Sequence, residues 1–180
     1  MGNEYGLHVD YEGIPFIIKP SNRHGMHELD SVKALRVKGV DFRLIELSQR
    51  AVSVEDVVRY SVSEIAVDEV CKTILLKGSD GEMHAALLLG SHRVDFTKVR
   101  GVIGMSVKIA TFEEVKEATG VEPGAVCPIL LRVQLLVDRR VLAKERINFG
   151  SGHHLYGLEI DPRDLERIVE YREVDIAEAH

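Results

Sequence analysis

Val70-Cys71-Lys72-Thr73-Ile74-Leu75-Leu76-Lys77, a turn at Gly78-Ser79-Asp80-Gly81, and Met83-His84-Ala85-Ala86-Leu87-Leu88-Leu89 form the stretch that decides the fold. Two apolar runs of strand length flank an Asp-Gly turn, which predicts a β-hairpin. Side chains alternate along a strand, so Val70, Lys72, Ile74 and Leu76 share one face and Cys71, Thr73 and Leu75 the other. Neither face carries the polar residues of a solvated surface. Lys72 is the anomaly, because taking an ammonium out of water is costly without a partner. Two readings follow. The amine holds a phosphate, a carboxylate or a polarised carbonyl, for which its three donors suit it. Or the stem packs and the head reaches water from the strand end.

Working outward, a helix is predicted over residues 30–38, stopped by Gly39, and a strand over 42–47. Ser53 with Asp56 resembles a capping box opening a short helix through Tyr60, and Asp95 caps another through Val99. After a short strand at 107–109, Thr111 and Glu114 form a second capping box for a helix ending at Gly120. Strands are predicted at 133–137, 146–149 and 155–160, with a turn at 138–140. Asp161-Pro162 opens a last helix to about Tyr171. The strands cluster and do not alternate regularly with helices, which predicts an α+β domain with a mixed, largely antiparallel sheet.

Composition bounds the function. The chain has 180 residues, 45% hydrophobic and 29% charged, ordinary for a globular protein and enough for one domain. Residues 1–27 are irregular and rich in Gly, Pro, His and Asn. They are expected to be an N-terminal extension, and residues 28–180 a single domain. No apolar run reaches the length of a membrane span, and the N-terminus has no signal-peptide pattern. Gly6 stands where a myristoylation signal wants Ser or Thr. Cys71 and Cys127 form neither a disulfide framework nor a C-x-x-C pair, so a reduced, cytoplasmic setting is expected. A net charge of −6 argues against a broad nucleic-acid binder but not against a pocket gripping one end of an RNA.

Two further stretches carry chemistry. In Gly124-Ala125-Val126-Cys127-Pro128 a glycine lets backbone approach a ligand and a proline stiffens the far end, so the loop is either an oxyanion cradle or a plain helix-to-strand connector. Cys127 is either a nucleophile or a small buried hydrophobe. In Gly150-Ser151-Gly152-His153-His154 adjacent histidines on a strand face opposite ways, so one is expected at a pocket and the other at the surface. No metal spacing involves these or the remaining histidines, His8, His24, His27, His84, His92 and His180. Walker, dinucleotide-fingerprint, H-E-x-x-H and G-x-S-x-G patterns are absent from the sequence.

The order of these features is similar to that of the YbaK/ProX family of aminoacyl-tRNA editing domains. The 70–76 strand is followed by Leu87-Leu88-Leu89-Gly90-Ser91-His92-Arg93-Val94-Asp95 and Ala110-Thr111-Phe112-Glu113-Glu114-Val115. Then come Thr119-Gly120, Gly124-x-x-x-Pro128, Gly152, Leu158-Glu159-Ile160 and Asp164-Leu165. The likeness runs from about Phe42 to Val169.

The resemblance implies a mixed, strongly curved, barrel-like sheet with flanking helices. It also implies hydrolysis in trans of wrongly charged aminoacyl-tRNA, commonly a small residue such as alanine or cysteine on tRNA for proline. The family's essential lysine matches Lys72, and its GxxxP loop matches Gly124 and Pro128. Lys72 and Gly124 are thus the expected catalytic residues. Thr73, Ala125, Val126, Pro128, Gly152, His153 and His154 are the expected substrate-binding residues. This sequence departs from commoner forms at His153 and His154, and at Ile129-Leu130 after the proline. No cofactor or metal is expected. The expected partners are the tRNA acceptor end and an aminoacyl-tRNA synthetase. Candidate basic residues for an RNA edge are Arg93, Lys98, Arg100, Arg132, Arg139, Arg140, Lys144 and Arg146. The alternative is a module of the same fold that binds an acceptor end or a synthetase without catalysis. A third reading is a small-molecule hydrolase using Cys127.

Overall fold

A computed structural model of the chain describes residues 28–178. The expected N-terminal extension and His8, His24, His27 and His180 lie outside the described residues. Six α-helices are described: α1 (Asp30–Val37), α2 (Val54–Tyr60), α3 (Phe96–Ile103), α4 (Phe112–Thr119), α5 (Arg139–Leu142) and α6 (Leu165–Ile168). The strands are β1 (Phe42–Glu46), β2 (Cys71–Gly78), β3 (Met83–Leu89), β4 (Val107–Ile109), β5 (Gln134–Asp138), β6 (Ile147–Gly150), β7 (Tyr156–Ile160) and β8 (Arg172–Val174).

Local chemistry explains the boundaries that the sequence anticipates. The side chains of Ser53, Asp95 and Thr111 each accept an N–H two or three residues into the helix they open, and Glu114 completes a capping box at α4. Gly104 and Gly120 end α3 and α4 with φ of +86° and +74°, a backbone conformation that suits glycine. β2 and β3 form the expected antiparallel hairpin, pairing Cys71 with Leu89 and Lys77 with Met83.

The strongly curved, barrel-like sheet is not what forms, and that expectation is corrected. The architecture is α+β and mixed, but the strands divide into two open sheets, β1-β7-β6 and β4-β2-β3-β5-β8. Closure would need β6 to keep pairing along β2. The contact between them is one parallel bridge, Val70 with Asn148, and from Leu76 onward that edge of β2 belongs to β4. In the larger sheet β3 and β5, and β5 and β8, run parallel, whereas β2 is antiparallel to both its neighbours.

The main core lies between the two sheets. Ala85, Leu87, Leu135 and Val137 meet Ile147, Phe149, Leu158 and Ile160, with Val32 and Leu35 of α1 and Leu165 of α6 closing the sides. The opposite face of the larger sheet, with Leu76, Ala86, Leu88 and Leu136, is covered by Val99 of α3 and by Ile176. β3 is therefore buried on both faces, which accounts for its unbroken apolar run. A smaller cluster joins Leu75, Ala110, Val115 and Val126.

Three expectations differ from what forms. The turn at 138–140 is the helical turn α5, capped by the Asp138 side chain. α3 runs past Val99 to Ile103. The last helix stops at Ile168, because Val169 takes an extended backbone (φ −141°, ψ 143°), and the chain continues as β8. β8 exists through pairing with β5, a distant partner that no local pattern announces.

Candidate functional site

Gly150 of β6 and Gly157 of β7 pair across the smaller sheet, and Gly157 also pairs with Ile45 of β1. Two facing glycines leave that patch of sheet bare of side chains, and a hollow of about 60 Å3 opens there. That is room for about two water molecules, or one small side chain. Ile45, Leu47, Val57 and Val70 form apolar walls, Asn148 lies on the sheet face, and Gly124, His153, His154 and Tyr156 complete the lining.

The loops around the hollow hold one another. Gly124 has φ +94° and is the third residue of the turn Glu122–Ala125, which the Ala125 N–H closes by donating to the Glu122 carbonyl. The Ala125 carbonyl in turn accepts from the Gly152 N–H at 2.8 Å. A Cβ on Gly150 would lie 2.5 Å from the Val126 carbonyl oxygen, so only glycine lets this loop lie on the strand. Ser31 of α1 donates to the Ser151 carbonyl at 2.6 Å, and the Ser151 hydroxyl donates to the Tyr156 carbonyl at 2.6 Å. Both serines are buried, so these bonds fix the turn that carries the two histidines.

Of the residues singled out in the sequence, Gly124, His153 and His154 share the hollow. Lys72, Thr73, Ala125, Val126, Pro128 and Gly152 are not among its lining residues. Ala125, Val126 and Pro128 are buried behind the loop, and Pro128 starts a short 3-10 turn. Thr73 faces inward from β2 with its hydroxyl buried and without a partner. Lys72 adjoins Val70 and Cys71, which line the hollow, but its half-buried amine donates to the Gly90 carbonyl at 2.9 Å. No carboxylate pairs with it among the described residues. Burial lowers the pKa of that amine, with a further push from Arg93 and a partial offset by Glu55.

Both histidines are at the mouth. His153 Nδ1 accepts the Leu155 N–H at 3.1 Å, which leaves Nε2 to carry the ring proton of the neutral form. Its ring lies 5.2 Å from that of Tyr156. His154 Nε2 lies 3.6 Å from Glu122, which also pairs with Arg50. Desolvation lowers the His154 pKa, Arg50 and His153 add to the shift, and Glu122 opposes it. Burial pushes both thiols, Cys71 and Cys127, up to about 12, so each is protonated and a poor nucleophile near neutrality.

The candidate RNA edge divides. Lys98, Arg139 and Arg140 all pair with Asp175, and Lys144 pairs with Asp68. Arg93, Arg100, Arg132 and Arg146 have no carboxylate partner among the described residues. No three His, Cys, Asp or Glu side chains are grouped to hold a metal, and no helix is long and apolar enough to cross a membrane, among the described residues.

Sequence reasoning missed Gly157 and Asn148. A glycine inside a strand signals close approach or missing packing, and that signal was present at Gly157. Asn148, flanked by Ile147 and Phe149, reads as an ordinary outward position of an alternating strand, so it carried no signal.

A family model for the aminoacyl-tRNA editing domain matches residues 49–168. The fold is similar to the crystal structure of the hypothetical protein APE2540, with a TM-score of 0.75 and 25% identity over 83% of this chain and 100% of that one. It is similar to a protein proposed as a trans-editing enzyme for prolyl tRNA synthetase, with a TM-score of 0.70 and 23% identity over 85% of this chain and 100% of that one. A proposed signal transduction protein from Marinobacter aquaeolei shares the fold within a longer chain, at a TM-score of 0.63 and 19% identity, over 83% of this chain and 30% of that one.

Proposed function

The chain belongs to the aminoacyl-tRNA editing domain family, and from that premise we propose that it is a deacylase acting in trans on mischarged tRNA. The substrate is a small amino acid, of the size of alanine, cysteine or serine, esterified to the terminal ribose of tRNA for proline. The observation that carries this reading is the hollow itself. It is small, apolar-walled, and bounded by Gly124 on one side and the His153-His154 turn on the other. Such a cavity sorts by exclusion, since one methylene is worth only about 1–3 kcal/mol.

In this reading the aminoacyl side chain enters the hollow and the ester stays at its mouth. Negative charge developing on the ester carbonyl is met by backbone around Gly124. Lys72, one residue from the hollow's wall, exchanges the Gly90 carbonyl for the terminal phosphate or ribose and holds the ester in place. Water, or the neighbouring ribose hydroxyl, attacks. The chemistry needs no protein nucleophile, which agrees with two protonated, buried thiols. Thr73, Ala125, Val126, Pro128 and Gly152 then support the loop and strand that shape the site. An aminoacyl-tRNA synthetase as partner and a cytoplasmic setting belong to the same reading.

Deacylation of a panel of mischarged tRNAs tests it. Lys72→Ala should lose about 100-fold or more in kcat/KM with its circular dichroism unchanged, and Cys127→Ser should stay within about threefold of the parent. Full activity in the Lys72 variant refutes its role. One observation favours the alternative of a non-catalytic module: the Lys72 amine is already engaged by Gly90 and lies outside the lining. That alternative predicts tight binding of the acceptor end without turnover on any member of the panel.

A further inference from the structure

Asn148 is 2% exposed, and neither its Oδ1 nor its Nδ2 has a hydrogen-bond partner. Its strand neighbours do not supply one. Glu159, opposite it on β7, is engaged by Arg43 through two hydrogen bonds of 3.0 and 2.6 Å. Val70, which bridges to it from just before β2, offers only an apolar side chain. A buried amide without partners is destabilising, and in native proteins such a group is completed by ordered water or a ligand, or serves the site's chemistry. Asn148 borders the hollow and shares its sheet face with Gly157, where no side chain fills the space.

The chemistry of a fitting partner follows from the lining. An amide offers one acceptor and one donor group, so its complement both donates and accepts. An ammonium only donates, and it would be desolvated beside Ile45, Leu47 and Val57 with no Asp or Glu in the lining to pair with it. A carboxylate only accepts and meets the same apolar walls. A neutral hydroxyl satisfies both amide atoms and suits a hollow of about 60 Å3. We propose that Asn148 is a specificity-determining residue that binds the hydroxyl of a small side chain, so that the hollow selects a seryl group over an alanyl group of nearly the same size. This rests on the reading that an aminoacyl group enters the hollow, and it sorts among the residues that size alone admits. Discrimination by a buried polar group is stronger than discrimination by volume, because the competitor leaves the amide unpaired.

The experiment uses the full chain with two non-hydrolysable probes, seryl and alanyl groups joined by an amide to the 3′ position of an acceptor-end oligonucleotide. Binding is measured for the parent, Asn148→Val and Asn148→Ala, with thermal melting of each and deacylation of seryl- and alanyl-tRNA in parallel. The parent should bind the seryl probe about tenfold or more tightly than the alanyl probe, and both variants should bring that ratio to within about twofold. Asn148→Val should melt no lower than the parent, because it removes two unpaired buried groups. A residue kept for structure predicts a lower melting temperature instead. Equal binding of the two probes by the parent, a ratio unchanged in the variants, or binding of neither probe overturns the proposal. Deacylation without hydroxyl preference leaves the editing reading standing and removes this one. Hydroxyl-dependent binding without any deacylation does the reverse.

Discussion

Gly157 shows how much of this site is made by a missing side chain. A Cβ there would meet Phe149 O at 3.6 Å and Ile45 at 3.7 Å, ordinary contacts, so the strand tolerates a larger residue. What it would lose is the space in front of the sheet. Gly157→Val should therefore fold with equal or greater thermal stability, given the strand preference of valine, and lose editing about tenfold or more by filling the hollow. Melting and deacylation measured on one preparation check this, and undiminished activity would place the substrate elsewhere. Gly150 is the opposite case, because a Cβ 2.5 Å from the Val126 carbonyl must displace the 125–126 backbone. The same residue type thus serves fit at one position and emptiness at its paired neighbour.

At the scale of elements, Asp138 ties the C-terminal segment to the larger sheet. Its carboxylate is fully buried and accepts from the N–H groups of Arg140, Ile176 and Ala177 and from the Arg140 guanidinium. Burial raises its pKa, and these bonds together outweigh that effect and hold it below the usual range. Asp138→Ala leaves the buried Ile176 and Ala177 amides unpaired and should cost about 2–5 kcal/mol in urea unfolding. A loss below about 1 kcal/mol would show that the segment is held by packing alone. The caps and the hairpin were legible in the sequence because their chemistry is complete within four residues, as at Thr111 and Glu114 or at Asp80-Gly81. β8 was not legible, since its strand character comes from β5 more than thirty residues away. The curvature of the sheet was misread for a related reason: where β6 stops pairing with β2 depends on which strand occupies that edge further along. Within the candidate site, Gly124 and the two histidines were readable from their residue types. Asn148 was not, because burial of an outward strand position depends on the loop that covers it.

For the molecule as a whole, acid sensitivity follows from its carboxylates. Hydrogen bonding to Lys77 and to the Thr111 N–H holds Glu114 down to about 2, and hydrogen bonds from Lys98 and Arg140 do the same for Asp175. Asp138 is shifted in the same direction. A depressed carboxylate contributes stability that is complete above its unfolded pKa, about 4, and is lost as pH falls through its folded value. The urea midpoint should therefore fall slightly below about pH 6.5, where the depressed pKa of His154 costs stability as the unfolded imidazole takes up a proton, and decline steeply between about pH 4 and 2. High salt should blunt the share due to the more exposed Glu114–Lys77 pair and spare that due to Asp138. A midpoint that holds steady down to pH 2.5 would contradict this account.

The lone rung between Val70 and Asn148 is the single backbone link between the two sheets among the described residues; elsewhere they meet through packed side chains. The recess flanks that rung, and Val70 and Asn148 both border it. A guest seated there would touch both sheets at once, so its binding energy would also count toward holding them together against unfolding.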